Sequence, residues 1–123
     1  MDLSQFQWKN RIVLIFTTHK DDLLSNALQT ELANQKVEVS ERHLVVFRIF
    51  ETGPSFMDST QIDFRTSEAI RQQLDVIPGE ITCILVGKDG GVKLRRPFPV
   101  KLNDIFTLID SMPMRQEEMR QRN

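Results

Sequence analysis

The run Ile81-Thr82-Cys83-Ile84-Leu85-Val86-Gly87 leads into Lys88-Asp89-Gly90-Gly91 and leaves through Val92-Lys93-Leu94-Arg95-Arg96. The first part is short, apolar and rich in β-branched residues, which predicts a buried strand from Ile81 to Gly87. Asp-Gly is a strong hairpin signal, because glycine accepts the positive φ that a tight turn between strands demands. The strand from Val92 to Arg96 must therefore return antiparallel, and Pro97 and Pro99 end it.

Upstream, Arg11-Ile12-Val13-Leu14-Ile15-Phe16 is continuous and apolar, as expected of a central strand buried on both faces. From Lys20 to Lys36 the residues Leu23, Leu24, Ala27, Leu28 and Leu32 recur at helical spacing, with Asp21 and Asp22 in the first turn and Lys36 in the last. Leu44 to Phe50 repeats the buried-strand pattern, and the right-handed crossover rule makes it parallel to the first strand. Glu51 to Arg65 contains Gly53-Pro54 and no sustained period, so it reads as a long connection before a short helix, Thr66 to Asp75, burying Ala69, Ile70 and Leu74. Downstream, Leu102, Ile105, Phe106 and Ile109 mark an amphipathic helix that stops near Pro113.

The element order is β-α-β-α-β-β-α: a central, mixed, four-stranded sheet flanked by helices, in one domain over residues 1–123 with 113–123 as a polar tail or surface helix. That order is the minimal thioredoxin-like one. A doubly wound α/β domain would lack the terminal hairpin.

Composition narrows the function classes. Forty per cent apolar residues in a chain of 123 suffice for one core without a metal or disulfide framework. The formal charge of −1 creates no global field favouring nucleic acid or an anionic membrane. No apolar stretch has the length of a membrane span, and Met1-Asp2-Leu3-Ser4-Gln5, with no basic and then apolar run, is not expected to act as a secretory leader. The single cysteine, Cys83, excludes an intramolecular disulfide, and no Cys/His cluster has zinc-site spacing. His19 follows the first strand and His43 precedes the second, so parallel strands hold them at opposite ends of the sheet and no shared metal is expected. No cofactor is expected, and the residues do not specify whether the partner is a protein or a small molecule, or the oligomeric state.

Three stretches together carry a resemblance: Trp8-Lys9-Asn10-Arg11 before the first strand, Gly87-Lys88-Asp89-Gly90-Gly91-Val92-Lys93-Leu94-Arg95 at the hairpin, and Ile109-Asp110-Ser111-Met112-Pro113-Met114-Arg115 near the end. In this order and spacing they resemble the thioredoxin-like, peroxiredoxin-related domain of unknown function found in bacterial hypothetical proteins. The same domain occurs as modules in sushi-repeat-containing extracellular proteins and in a related matrix-associated coiled-coil-domain protein. The resemblance covers nearly the whole chain and implies a peroxiredoxin-related fold, export across a membrane and no settled activity. Lys101 stands where that family would lead one to expect a Ser or Thr helix cap.

Thiol chemistry on this frame needs a cysteine where the first strand meets its helix, because the helix N-terminus stabilises a thiolate. Here that place reads Thr17-Thr18-His19-Lys20-Asp21-Asp22, with neither a cysteine pair nor a single peroxidatic cysteine. The candidate catalytic residues are accordingly Thr17, Thr18 and His19, as hydroxyls and a proton carrier, and Cys83, which an antiparallel third strand brings beside the end of the first. The plainer alternative has Thr18 capping the helix with Asp21, His19 solvated and Cys83 as an inert core thiol. Thr82 falls near where thioredoxins place a cis-proline, and Pro78 comes earlier. Lys88, Lys93 and Arg95, with Arg96 and Lys101, form a candidate basic patch for an acidic partner, or else guard an exposed edge strand. Phe6 and Trp8 are expected to pin the N-terminal segment to the core. Two functions follow: a non-catalytic interaction module, or an atypical peroxiredoxin-like oxidoreductase using Thr17, His19 and Cys83.

Overall fold

The computed structural model describes residues 2–122. After a short 3-10 turn at Leu3–Phe6 come β1 (Arg11–Thr17), α1 (Leu23–Asn34), α2 (Lys36–Glu41), β2 (Leu44–Phe50), β3 (Ser55–Met57), β4 (Thr60–Ile62), α3 (Phe64–Gln73), β5 (Thr82–Val86), β6 (Val92–Arg96), α4 (Leu102–Asp110) and α5 (Pro113–Gln121). They build one mixed sheet in the order β4-β3-β2-β1-β5-β6. β1 is buried along its whole length, as a strand covered on both faces must be. It runs parallel to β2, with Arg11 opposite Leu44, and antiparallel to β5, with Ile15 opposite Cys83. Gly90 carries the hairpin to β6 at φ +87°.

Alternation along β1 divides the core. Val13 and Ile15 face a layer with Leu28 and Leu32 of α1, Cys83 and Leu85 of β5, and Leu102, Ile105 and Ile109 of α4. Ile12, Leu14 and Phe16 face the other layer with Phe47 and Ile49 of β2 and Ile70 and Leu74 of the α3 region. Arg71, also buried on that side, lies with its guanidinium 5.5 Å from the centre of the Phe16 ring.

The four expected strands are present as β2-β1-β5-β6, but the sheet has six. The additional hairpin β3-β4 lies inside the segment read as a connection, turning on Asp58 at φ +53°. The first helix begins at Leu23 rather than Lys20. Its cap is Asp22, whose carboxylate accepts from the amides of Leu24 (3.0 Å) and Ser25 (3.2 Å), so Thr18 and Asp21 do not cap it. That helix breaks at Gln35, and Lys36 opens the separate α2. Leu23 and Leu24 are exposed while Leu28 and Leu32 carry the packing; in α3, Ala69 is exposed and Ile70 is buried. Phe6 does pin the N-terminal segment, edge-on to Phe47 at 5.8 Å. Trp8 does not: it is 62% exposed at φ +68°, and its backbone amide donates to the Lys88 carbonyl. Of the two readings of the C-terminal stretch, the helix is the one present: residues 113–121 form α5, whose Arg115 is buried. α4 starts at Lys101 without a side-chain cap, as its sequence implied.

Candidate functional site

Backbone pairing closes the loop after β1. The amides of Glu51 and Thr52 donate to the carbonyls of Thr17 (3.2 Å) and Thr18 (2.8 Å), extending the β1-β2 ladder past the formal strand end. Thr17 is buried, and its hydroxyl donates to the His19 carbonyl at 2.8 Å. The His19 side chain projects outward. The first free amides of α1, which on this frame are the ready anion site, are occupied by the chain's own Asp22 carboxylate. Thr17, Thr18 and His19 therefore lie together at the end of β1, with Thr17 engaged internally.

Cys83 lies opposite Ile15 and is 0% exposed, in the layer that α1 and α4 cover. Burial pushes its thiol up to about 12, with Arg96 opposing weakly. The low-pKa environment that thiolate chemistry requires is missing. Thr82 holds its own hydroxyl on the Arg96 carbonyl, 3.1 Å away, and the cis peptide bond falls elsewhere, at Phe98-Pro99.

Four basic residues of this region each face a carboxylate of their own. Lys93 pairs with Asp89 at 2.8 Å, Arg95 with Glu80 at 2.8 Å, and Arg96 lies 3.8 Å from Asp104. Arg95 also donates to the carbonyls of Leu74 and Asp75. Lys88 turns the other way, only 8% exposed, into an ionic knot at the opposite end of the sheet from His19. There Glu118 of α5 receives both guanidinium nitrogens of Arg11 at 3.1 Å and the Lys88 ammonium at 2.7 Å. Arg11 is 1% exposed although it begins the central strand. Burial alone would raise the Glu118 carboxyl, but hydrogen bonds from Arg11 and Lys88, reinforced by their charges, outweigh it and hold Glu118 below the usual carboxylate range. Lys88 also sits 2.8 Å from His43 Nδ1, and partial burial together with that ammonium lowers the His43 pKa. Alongside, Asp110 accepts from Arg42 (2.8 Å) and Arg115 (3.1 Å), and Arg42 lies 4.0 Å from the Phe106 ring centre.

Beside this knot, along the first half of β2, runs a groove of about 700 Å³. Leu32 and Ala33 of α1, Val39 of α2 and Val46 of β2 line it, with His43, Lys36 and Arg48 among its polar walls. It lies where β3 stops: β3 pairs with β2 at Phe47 and Arg48, Asp58 just beyond it holds the Val46 backbone, and Leu44 and Val45 have no strand partner on that side among the described residues. Sequence reading missed the groove. Its one local signal was Arg48, the only charge within the apolar run Leu44–Phe50. Among the described residues no group of three His, Cys, Asp or Glu side chains is placed to hold a metal, and no helix is long and apolar enough to cross a membrane.

Comparison with known proteins agrees with this frame. The reduced 2-Cys peroxiredoxin of Plasmodium vivax superimposes with a TM-score of 0.67 at 13% identity, over 94% of this chain and 84% of that one. Thioredoxin peroxidase I of Plasmodium yoelii gives 0.66 at 16% identity, over 94% and 79%. The mitochondrial 2-Cys peroxiredoxin of Plasmodium falciparum gives 0.63 at 13% identity, over 89% and 79%. At such identities the likeness shows the thioredoxin-like fold alone. In sequence, the chain is 27% identical over 133 residues to coiled-coil domain-containing protein 80 of Danio rerio, covering 95% of this chain but 15% of that relative. Residues 2–118 match the family described as a domain of unknown function, DUF4174. The order of strands around β1, the hairpin at Gly90 and this match over nearly the whole length converge: the chain belongs to the DUF4174 family, built on a thioredoxin-like fold without a cysteine pair.

Proposed function

We propose that this chain is a non-catalytic binding module that keeps the thioredoxin-like frame and has given up its thiol chemistry. The observation that carries the reading is Cys83: fully buried, with its thiol raised to about 12, it is a core residue in the role of a small hydrophobe. The oxidoreductase alternative at Thr17, His19 and Cys83 needs a thiolate that peroxide can reach, and it needs free amides at the start of α1. Burial of the sulfur opposes the first requirement, and the Asp22 cap opposes the second. The resemblance to modules of sushi-repeat extracellular proteins adds the proposal that the unit is exported and binds its partner outside the cytoplasm.

Peroxide turnover and thiol labelling test the reading together. The native protein is expected to react with a thiol reagent only after denaturation, and Cys83→Ala is expected to leave peroxide consumption at the buffer background. Rapid labelling of the native fold together with a peroxidase rate that Cys83→Ala abolishes would overturn it.

A further inference from the structure

The groove along β2 has three properties that together select a ligand class. Its floor is apolar, from Leu32, Val39 and Val46, and its volume of about 700 Å³ falls in the range of small-molecule sites. Its backbone is already satisfied at Val46, in the middle of the edge an added strand would have to pair with. The Val46 amide donates to the Asp58 carboxylate at 3.0 Å, and the Val46 carbonyl accepts from the Asp58 amide at 2.7 Å. A peptide joining as an extra strand would find both Val46 groups taken, which favours a compact ligand over an edge-pairing one.

The third property is charge. Two cations, Lys36 and Arg48, line the groove against one carboxylate, Asp58, which is committed to the Val46 amide. Arg48 is held in place: its guanidinium lies 4.7 Å from the Phe56 ring centre and donates to the Asp58 carbonyl at 3.3 Å. Neither Lys36 nor Arg48 has a carboxylate within 4.0 Å among the described residues, whereas Arg11, Lys88, Lys93 and Arg95 each do. Cations poised beside an apolar floor match an anion attached to an apolar body.

We propose that this groove binds a small amphipathic carboxylate, its hydrocarbon part over Leu32, Val39 and Val46 and its head group against Lys36 and Arg48. The proposal rests on the binding-module reading and gives that module its ligand class.

Isothermal titration of the full chain with decanoate, and with decyltrimethylammonium as the same tail carrying the opposite charge, tests it. Decanoate is expected to saturate one site and to bind about tenfold more tightly than the cation, the sum expected of two partly exposed ion pairs. Lys36→Glu at an exposed position and Arg48→Ala should each weaken decanoate several-fold and narrow that preference. Val46→Trp, which fills the floor, should abolish binding of both tails. Thermal melts verify that each variant is folded, and amide shift perturbations in the wild type should map to the end of α1, α2 and β2. No saturable decanoate binding, equal affinity for the two head groups, or full affinity in Lys36→Glu and Arg48→Ala overturns the proposal. Such a failure with Cys83 still inert leaves the module reading standing, whereas Cys83-dependent peroxide turnover removes the module reading itself.

Discussion

Cys83 makes a quantitative prediction about alkaline stability. In the unfolded chain its thiol ionises near its ordinary value of about 8.5. In the native fold burial holds it protonated to about 12. Above the unfolded value the unfolded state therefore carries fewer protons than the native one, so stability must fall as pH rises through that window. Between pH 7 and pH 10 the thiol contributes a loss of about 2 kcal/mol, from 1.36 kcal/mol per pK unit over about 1.5 units. The size depends almost entirely on the unfolded value, because at pH 10 a native thiol anywhere above about 11 remains protonated. Urea melts of wild type and Cys83→Ala at the two pH values, under reducing conditions, isolate it: other groups titrate in both proteins and cancel in the double difference. The wild type should lose about 2 kcal/mol more than the variant. A double difference near zero would mean that the native thiol ionises as freely as the unfolded one, and the inert-core account of Cys83 would fail.

The hairpin, the ionic knot and His43 each supply a further test. Gly90→Val should cost about 1–3 kcal/mol, since φ +87° is strained for any side chain even though a Cβ there meets nothing closer than Gln7 at 3.6 Å; Lys93→Ala, whose pair with Asp89 is exposed, should stay within about 0.5 kcal/mol in the same urea melts. Glu118→Gln strands the buried Arg11 and Lys88 charges and should destabilise by about 3 kcal/mol, whereas Glu117→Gln on the exposed side of the same helix should leave the melt unchanged. Because the His43 pKa is lowered, the unfolded state binds its proton first as pH falls, so stability should begin to drop below about pH 6.5; because Glu118 is also lowered, a second drop should follow below about pH 4.3. His43→Asn, which tolerates the φ of +52° there, should remove the first drop and keep the second in a pH series of thermal melts.

What the sequence reveals depends on how local the signal is. β1, β2 and β5 are apolar runs long enough to read directly, and Asp89-Gly90 carries its own turn geometry. β3 and β4 have three residues each, too few for a period of two to stand out, so their hairpin reads as loop. The start of α1 is misplaced in the sequence reading, which puts the cap at Thr18 with Asp21, whereas Asp22 takes it. The choice is tertiary: the Thr52 amide takes the Thr18 carbonyl, which a cap at Thr18 would need for the first helical bond. Alternation along β5 is enough to put Cys83 on a buried face. The ionic knot was illegible because Arg11, Arg42, His43, Lys88, Asp110, Arg115 and Glu118 are scattered along the chain, and a lysine beside a hairpin turn looks like an edge guard. The groove was illegible for a related reason: Arg48 stands out within its strand, but nothing local links it to Lys36.

The pairing of Arg11 with Glu118 spans 107 positions and joins the first strand to the last helix. A chain emerging from the ribosome in order makes its central strand early and its counter-ion almost last. Until residue 118 is available, settling Arg11 into the middle of the sheet means burying a cation with no opposing charge, which opposes completion of the core. For the same reason, a shortened version ending at the apparent stop before Pro113 keeps all six strands yet removes the anion they are built around. Anyone excising this unit from a longer protein should therefore set the boundary beyond α5.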